Sequence, residues 1–157
     1  MTEDATDFGA GRDALVEQPP GQGAAVEQLT ACVETATAAP SLHNSQPWRF
    51  RIRDGGVDVY VDHRRHLEVI DPTGREMFIS VGAALFTLRL AVRHLGYLPL
   101  LTLAGEPAEP GLVARVVPGR ACAATSAVAA LFDAVPRRHT NRWPFEPSAV
   151  AAATVEA

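Results

Sequence analysis

An α+β fold, a mixed sheet flanked by helices, is what this 157-residue sequence predicts, on three observations. Apolar residues recur at helical spacing in three separate stretches, and they alternate with charged ones between residues 49 and 62. A third kind of segment, Leu98 to Ala104, is almost continuously apolar. With 47% hydrophobic and 20% charged residues the composition is that of a globular chain, and the length suits one domain with a real core.

The first 22 residues are acidic and rich in Gly, Pro and Gln, which predicts a disordered tail. They lack the basic and apolar regions of a signal peptide, so a cytoplasmic protein is expected, without a membrane partner. The domain is expected over residues 23–157. Its first helix carries Val26, Leu29, Val33 and Ala36 on one side and stops before Pro40, which pushes the preceding residue out of the α region.

A hairpin follows. A turn at Gly55-Gly56 would pair Arg53 with Asp58 and Arg49 with Asp62 on one face, and Ile52 with Val59 and Phe50 with Val61 on the other. The arginines of this pair read as a solvated, charge-paired face rather than an anion site. Next, Thr73 and Glu76 have capping-box spacing at the head of a long helix whose expected apolar stripe is Phe78, Val81, Leu85, Leu88, Val92 and Leu95. The small residues Gly82, Ala83 and Ala84 permit close approach of another helix, and Gly96 provides the stop. Leu98 to Ala104 then reads as a central strand buried on both faces, and Leu112 to Val117 as a shorter one. A helix over Thr125 to Val135 ends at Pro136, and another opens at Pro147-Ser148. The sequence stops inside that last Ala-rich segment, which reads as a domain truncated at its C-terminus.

Composition removes several functions. A net charge of −4 argues against a nucleic-acid surface. All 14 basic residues are arginine, so no Schiff-base or P-loop lysine exists. Cys32 and Cys122 stand alone in Ala-rich segments and suit small buried thiols, not a zinc site. His63 and His66 form an H-x-x-H run beside Asp62, the seed of a metal-dependent hydrolase reading. Arg64 and Arg65 oppose a cation there, and no third ligand cluster follows.

Two polar clusters stand out. Pro40-Ser41-Leu42-His43-Asn44-Ser45-Gln46-Pro47-Trp48 places hydroxyl, amide and imidazole groups between a helix and a strand. Its bland reading is a loop whose side chains satisfy their own backbone, with Trp48 packing in the core. Arg137-Arg138-His139-Thr140-Asn141-Arg142 offers guanidinium donors suited to a phosphate, and its bland reading is a solvated loop. Together they suggest a nucleotide-shaped cofactor lying between them.

These residues also carry a family resemblance. The first cluster is similar to the P-S-x-x-N-x-Q-P-W signature of flavin-dependent nitroreductases, and Arg138-His139-Thr140-Asn141-Arg142 with Phe145 resembles their R-x-[ST]-x-[RK] motif. The order of the two, with Asp71-Pro72-x-Gly74-Arg75-Glu76 and a Gly-Ala-Ala helix between, resembles the Acg-type, dormancy-associated nitroreductase-like proteins. That resemblance implies the N-terminal half of a nitroreductase-like fold that binds FMN. It also implies NAD(P)H as electron donor and a nitro-aromatic or quinone-like small molecule as acceptor. Arg138, Thr140 and Arg142 would hold the phosphate, with His139 near the ring and Pro40, Ser41, Leu42, Asn44 and Gln46 along the opposite wall. It further implies a homodimer, or association with a second nitroreductase half, to complete the site. The alternative is a flavin-binding or flavin-sequestering module without turnover, or a truncated remnant.

Overall fold

The computed structural model describes residues 26–105 and 109–155, so the tail expected over residues 1–22 lies outside the described residues. Eight elements follow one another: α1 (Val26–Ala36), β1 (Trp48–Arg53), β2 (Gly56–Val61), α2 (Arg75–His94), β3 (Tyr97–Leu103), β4 (Leu112–Ala121), α3 (Ser126–Ala134) and a short α4 (Ala152–Val155). The fold is α+β, but the sheet is not mixed. Its four strands run in the order β1-β2-β4-β3, and every pairing is antiparallel. α2 connects β2 to β3, and β4 fills the place between those two strands.

Val57, Val59 and Val61 of β2 and Val116 of β4 form one face of the sheet, and α1 and α2 cover it. Leu29, Cys32 and Ala36 come from α1, and Met77, Val81, Ala84, Leu88 and Val92 from α2. Burial pushes the Cys32 thiol up to about 11, so it behaves as a small core side chain. α3 packs on α2, where Phe132 stacks on His94 with ring centroids 3.8 Å apart.

The hairpin forms, with a register two residues from the expected one. Arg53 pairs with Gly56, Arg51 with Asp58 and Arg49 with Tyr60. The turn residues are Asp54 and Gly55, both left-handed at φ 47° and 69°, as a two-residue hairpin turn of this hand requires. Gly56 instead begins β2, where a Cβ would lie 2.9 Å from Val117 Cγ2 and 3.0 Å from the Val116 carbonyl oxygen. A slide of two residues keeps each side chain on its expected face.

The charged face is not solvated throughout. Asp58 is completely buried, held by Arg53, by Arg51 at 3.6 Å and by Arg115 Nη1 at 2.8 Å. Arg115 also donates to the carbonyls of Arg53 and Asp54, which ties the turn to β4. Burial opposes ionisation of Asp58, yet the hydrogen bonds from Arg53 and Arg115 prevail and hold its carboxyl below the usual range.

α2 begins without the expected capping box. Gly74 is its N-cap residue and supplies no side chain, and the buried Asp71 carboxylate accepts from the Met77 N–H at 2.9 Å. The ring of His66 meets the Asp71 carbonyl at 2.6 Å and braces the turn. The buried side of α2 is also rotated from the expected stripe. Val81, Leu88 and Val92 are in the core, but so are Ala84 and Ala91, and Phe78 is half exposed. By length and composition α2 could cross a membrane, but half of it is buried inside the protein, as in a core helix.

The apolar run Leu98 to Ala104 gives β3 an edge position rather than a central one, and Leu100, Leu101 and Leu103 are exposed. The strand expected to be short, β4, spans ten residues and pairs on both sides.

Two outcomes are expected. Asp58→Ala should cost about 1.5–3 kcal/mol in urea unfolding, the worth of hydrogen bonds to a charged group. Because the folded pKa of Asp58 is depressed, its contribution is complete above the ordinary value of 3.8 and is lost as pH falls through the lower folded value, so the variant's acid-unfolding profile should be flatter there. Asp71→Ala should cost about 0.5–2 kcal/mol by loss of the cap, while Thr73→Ala should change thermal stability little.

Candidate functional site

The chain between α1 and β1 is held by four tethers. α1 ends in a turn at Thr37–Ala39, and Ala39 is buried against the core. Ser41 Oγ then accepts from the Gln46 N–H at 2.9 Å and closes the loop on itself. The Leu42 N–H reaches Ser80 Oγ of α2 at 3.3 Å, and that hydroxyl donates to the Glu76 carbonyl. On the far side, Arg65 Nη1 donates to the Ser45 carbonyl at 3.2 Å. Pro47 and Trp48 are buried, so the loop enters β1 from a fixed point.

Within these tethers the backbone is unusual. His43, Asn44 and Gln46 have φ of 47°, 57° and 48°, three left-handed residues without a glycine among them. Such conformations cost free energy and persist where surroundings impose them, often at ligand-binding sites. They turn the exposed His43 and Asn44 outward, while Gln46 Nε2 donates to Asn44 Oδ1 at 3.3 Å. The loop thus presents a fixed, hydrogen-bonding edge beside the exposed Pro40 and the part-buried Ser41 and Leu42.

The basic cluster follows α3 and a 3₁₀ turn at Val135–Arg137. From Arg138 to Ala151 the chain is exposed and irregular, without the helix expected to open at Pro147-Ser148, and α4 contains four residues. Arg138 Nη1 donates to Thr140 Oγ1 at 3.3 Å, so these two donors stand side by side. Its other terminal nitrogen lies 3.5 Å from the Ala38 carbonyl oxygen, two residues before Pro40. One hydrogen bond across 100 residues therefore brings the basic cluster to the start of the polar loop. His139 contacts only its own segment, through the Arg137 carbonyl, and no hydrogen bond joins His139, Thr140 or Arg142 to the loop among the described residues.

Other candidates resolve differently. The His63 ring meets Phe78 edge-on, whereas His66 turns to Asp71. Asp62 is occupied by Arg64 and Arg65. Among the described residues no group of three or more metal-ligating side chains comes together. Two surface concavities, of about 300 and 320 Å³, lie elsewhere, one against Arg49, Arg51 and Tyr60 and the other against Cys32, His94 and Phe132. Neither is lined by residues of the polar loop or the basic cluster.

Ser80 and Arg65 were not evident as site residues in the sequence. A serine on the buried side of an otherwise apolar helix was the available signal for the first; nothing marked the second. Ser80→Ala should cost about 1 kcal/mol in thermal unfolding through loss of a typical hydrogen bond, and amide exchange at Leu42 should accelerate more than at β2.

No protein-family model matches the chain. It is 34% identical over 117 residues to a Mycobacterium tuberculosis protein named "Putative NAD(P)H nitroreductase acg", a match spanning 74% of this chain and 35% of that protein. It is 31% identical over 128 residues to another from the same organism, named "Putative NAD(P)H nitroreductase Rv3131", covering 75% and 36%. A Serratia protein named "Probable NAD(P)H nitroreductase PigM" is 30% identical over 131 residues, covering 79% and 36%. The chain therefore spans about a third of the length of these relatives. Across roughly three quarters of its own length, the chain is similar to proteins named as putative or probable NAD(P)H nitroreductases.

Proposed function

We propose that this chain supplies the phosphate side and one wall of an FMN site in a cytoplasmic, NAD(P)H-dependent nitroreductase-like oxidoreductase acting on nitro-aromatic or quinone-like acceptors. The observation that carries this reading is the Arg138 contact with the Ala38 carbonyl, which sets a guanidinium and the Thr140 hydroxyl next to the Pro40–Gln46 loop. Arg138, Thr140 and Arg142 hold the phosphate, since guanidinium groups match it by charge-assisted bonds. His139 lies toward the ring. Pro40, Ser41, Leu42, Asn44 and Gln46 form the opposing wall, with the imposed backbone of that loop already shaped before binding.

The fit is partial. Arg138, Thr140 and Arg142 are exposed, and another copy of this chain or a separate nitroreductase-like half would close the site over them. FMN would supply the hydride- and electron-transfer chemistry when bound, and Arg138, Thr140, Arg142 and the Pro40–Gln46 loop would hold and orient it. No side chain of this chain is assigned as nucleophile or general acid.

A second reading, a flavin-binding or sequestering module without turnover, is favoured by the exposure of Arg138, Thr140 and Arg142. Anaerobic addition of NADH or NADPH to flavin-loaded protein separates the two: bleaching supports the oxidoreductase, and a stable yellow spectrum supports the binder. Arg138→Ala and Arg142→Ala should each weaken FMN binding by about 1.5–3 kcal/mol, and unchanged titration curves for both would remove the phosphate assignment.

A further inference from the structure

The two-residue slide of the hairpin leaves one arginine without a counter-ion. Arg49, expected to pair with Asp62, lies opposite Tyr60 instead, and Asp62 is occupied by Arg64 and Arg65. Among the described residues Arg49 makes no hydrogen bond or ion pair; its guanidinium lies over the Tyr60 ring, 5.8 Å from the centroid. Two residues on, Arg51 lies over the same ring at 5.0 Å and meets Tyr60, Glu109 and Asp58 through Nη2 alone. Its Nε and Nη1 keep their donors free among the described residues. Arg53 and Arg115 both engage Asp58. Four guanidinium groups on this open face of the sheet thus meet two carboxylates, Asp58 and Glu109, on a chain whose net charge is −4. A concavity of about 300 Å³ opens there, with Arg49, Arg51, Tyr60 and Glu109 in its wall.

We propose that this concavity binds a phosphate monoester, with Arg49 and Arg51 as its two guanidinium ligands. The inference does not rest on the flavin reading, since neither arginine lines or bonds the polar loop or the Arg138 cluster among the described residues. Alternate residues of a strand share a face and stand about 7 Å apart, so both side chains can converge on one anion. The platform beneath them is fixed: Tyr60 is only 6% exposed, and its hydroxyl donates to Glu109 at 3.0 Å. Arg49 and the free edge of Arg51 offer more donors than the two oxygens of a carboxylate can accept. A phosphate monoester brings three acceptor oxygens, and its charge approaches the two positive charges left over on this face. An extended polyanion such as nucleic acid is opposed by Glu109 on the rim and by the acidic chain around it.

Titration of the full chain with inorganic phosphate at constant ionic strength, followed by NMR at the arginine Nε–H groups, tests this. Arg49 and Arg51 should shift saturably, and Arg53, whose Nε is bonded to Asp58, should not. Reading these side chains directly separates the site from phosphate attracted by Arg138. Arg49→Gln should weaken binding about tenfold or more, the loss expected of hydrogen bonds to a charged group. The same variant should keep its urea midpoint and its FMN titration, because Arg49 has no hydrogen bond or ion pair to lose. Shifts produced by NADPH and not by NADH would place the ester on the ribose of a nicotinamide nucleotide. Shifts produced by glycerol phosphate but by neither nucleotide would make it a small ester. Absent or unsaturable shifts with phosphate would overturn the proposal. So would an equal response to acetate, or a DNA oligonucleotide that shifts the two arginines where phosphate does not.

Discussion

A helix that starts inside a protein must find acceptors for its first backbone N–H groups, and Asp71 provides one for α2. Its carboxylate is buried, which opposes ionisation, but N–H groups of Met77, Glu76 and Arg75 stabilise the charged form and keep its pKa depressed. The same first turns hold more than the core. Ser80 leans on the Glu76 carbonyl and receives the Leu42 N–H, so the polar loop hangs from the N-terminal end of α2. The ring of His66 closes the arrangement through the Asp71 carbonyl. A disturbance of this turn therefore reaches the helix, the loop and the start of β1 together.

The opposite side of the sheet is organised by charge. One carboxylate, Asp58, receives three arginines from two strands, and it is the carboxylate that is buried while the arginines keep contact with water. Guanidinium groups tolerate this division, since their stems pack on the sheet and their heads stay wet. Tyr60 joins the system by donating to Glu109 and by lying under Arg51, 5.0 Å from its ring centroid. The hairpin and β4 are thereby clamped on the face that the helices leave uncovered.

How much of this could be read from the residues depends on the kind of information required. The hairpin was legible because alternation of apolar and charged residues fixes the faces, but its register was not. Alternation is unchanged by a slide of two, and only the backbone demands at Asp54 and Gly56 separate the two alignments. The run at Leu98 reads equally well as a buried or an edge strand, since position within a sheet is decided by partners distant in sequence. Strand direction was likewise not local information, and where a mixed sheet was expected every pairing is antiparallel. On α2, Ala84 and Ala91 face the core and phenylalanines face out, so side-chain size misled the choice of stripe. The polar loop was legible as a motif, but its three left-handed residues were not, because positive φ is uncommon for any non-glycine residue and Gln46 is not among the types enriched there.

The two borders of the sheet are unequal in a way that bears on the life of the chain before it is fully folded. β1 offers Arg49, Arg51 and Arg53 along its length, and repulsion between such charges discourages another copy from adding a strand there. β3 reads Tyr97-Leu98-Pro99-Leu100-Leu101-Thr102-Leu103 and contains no charge at all. Pro99 is its single interruption, a residue that can accept but not donate in a ladder. Aggregation during synthesis would accordingly begin from β3, and Pro99 serves there as a gatekeeper.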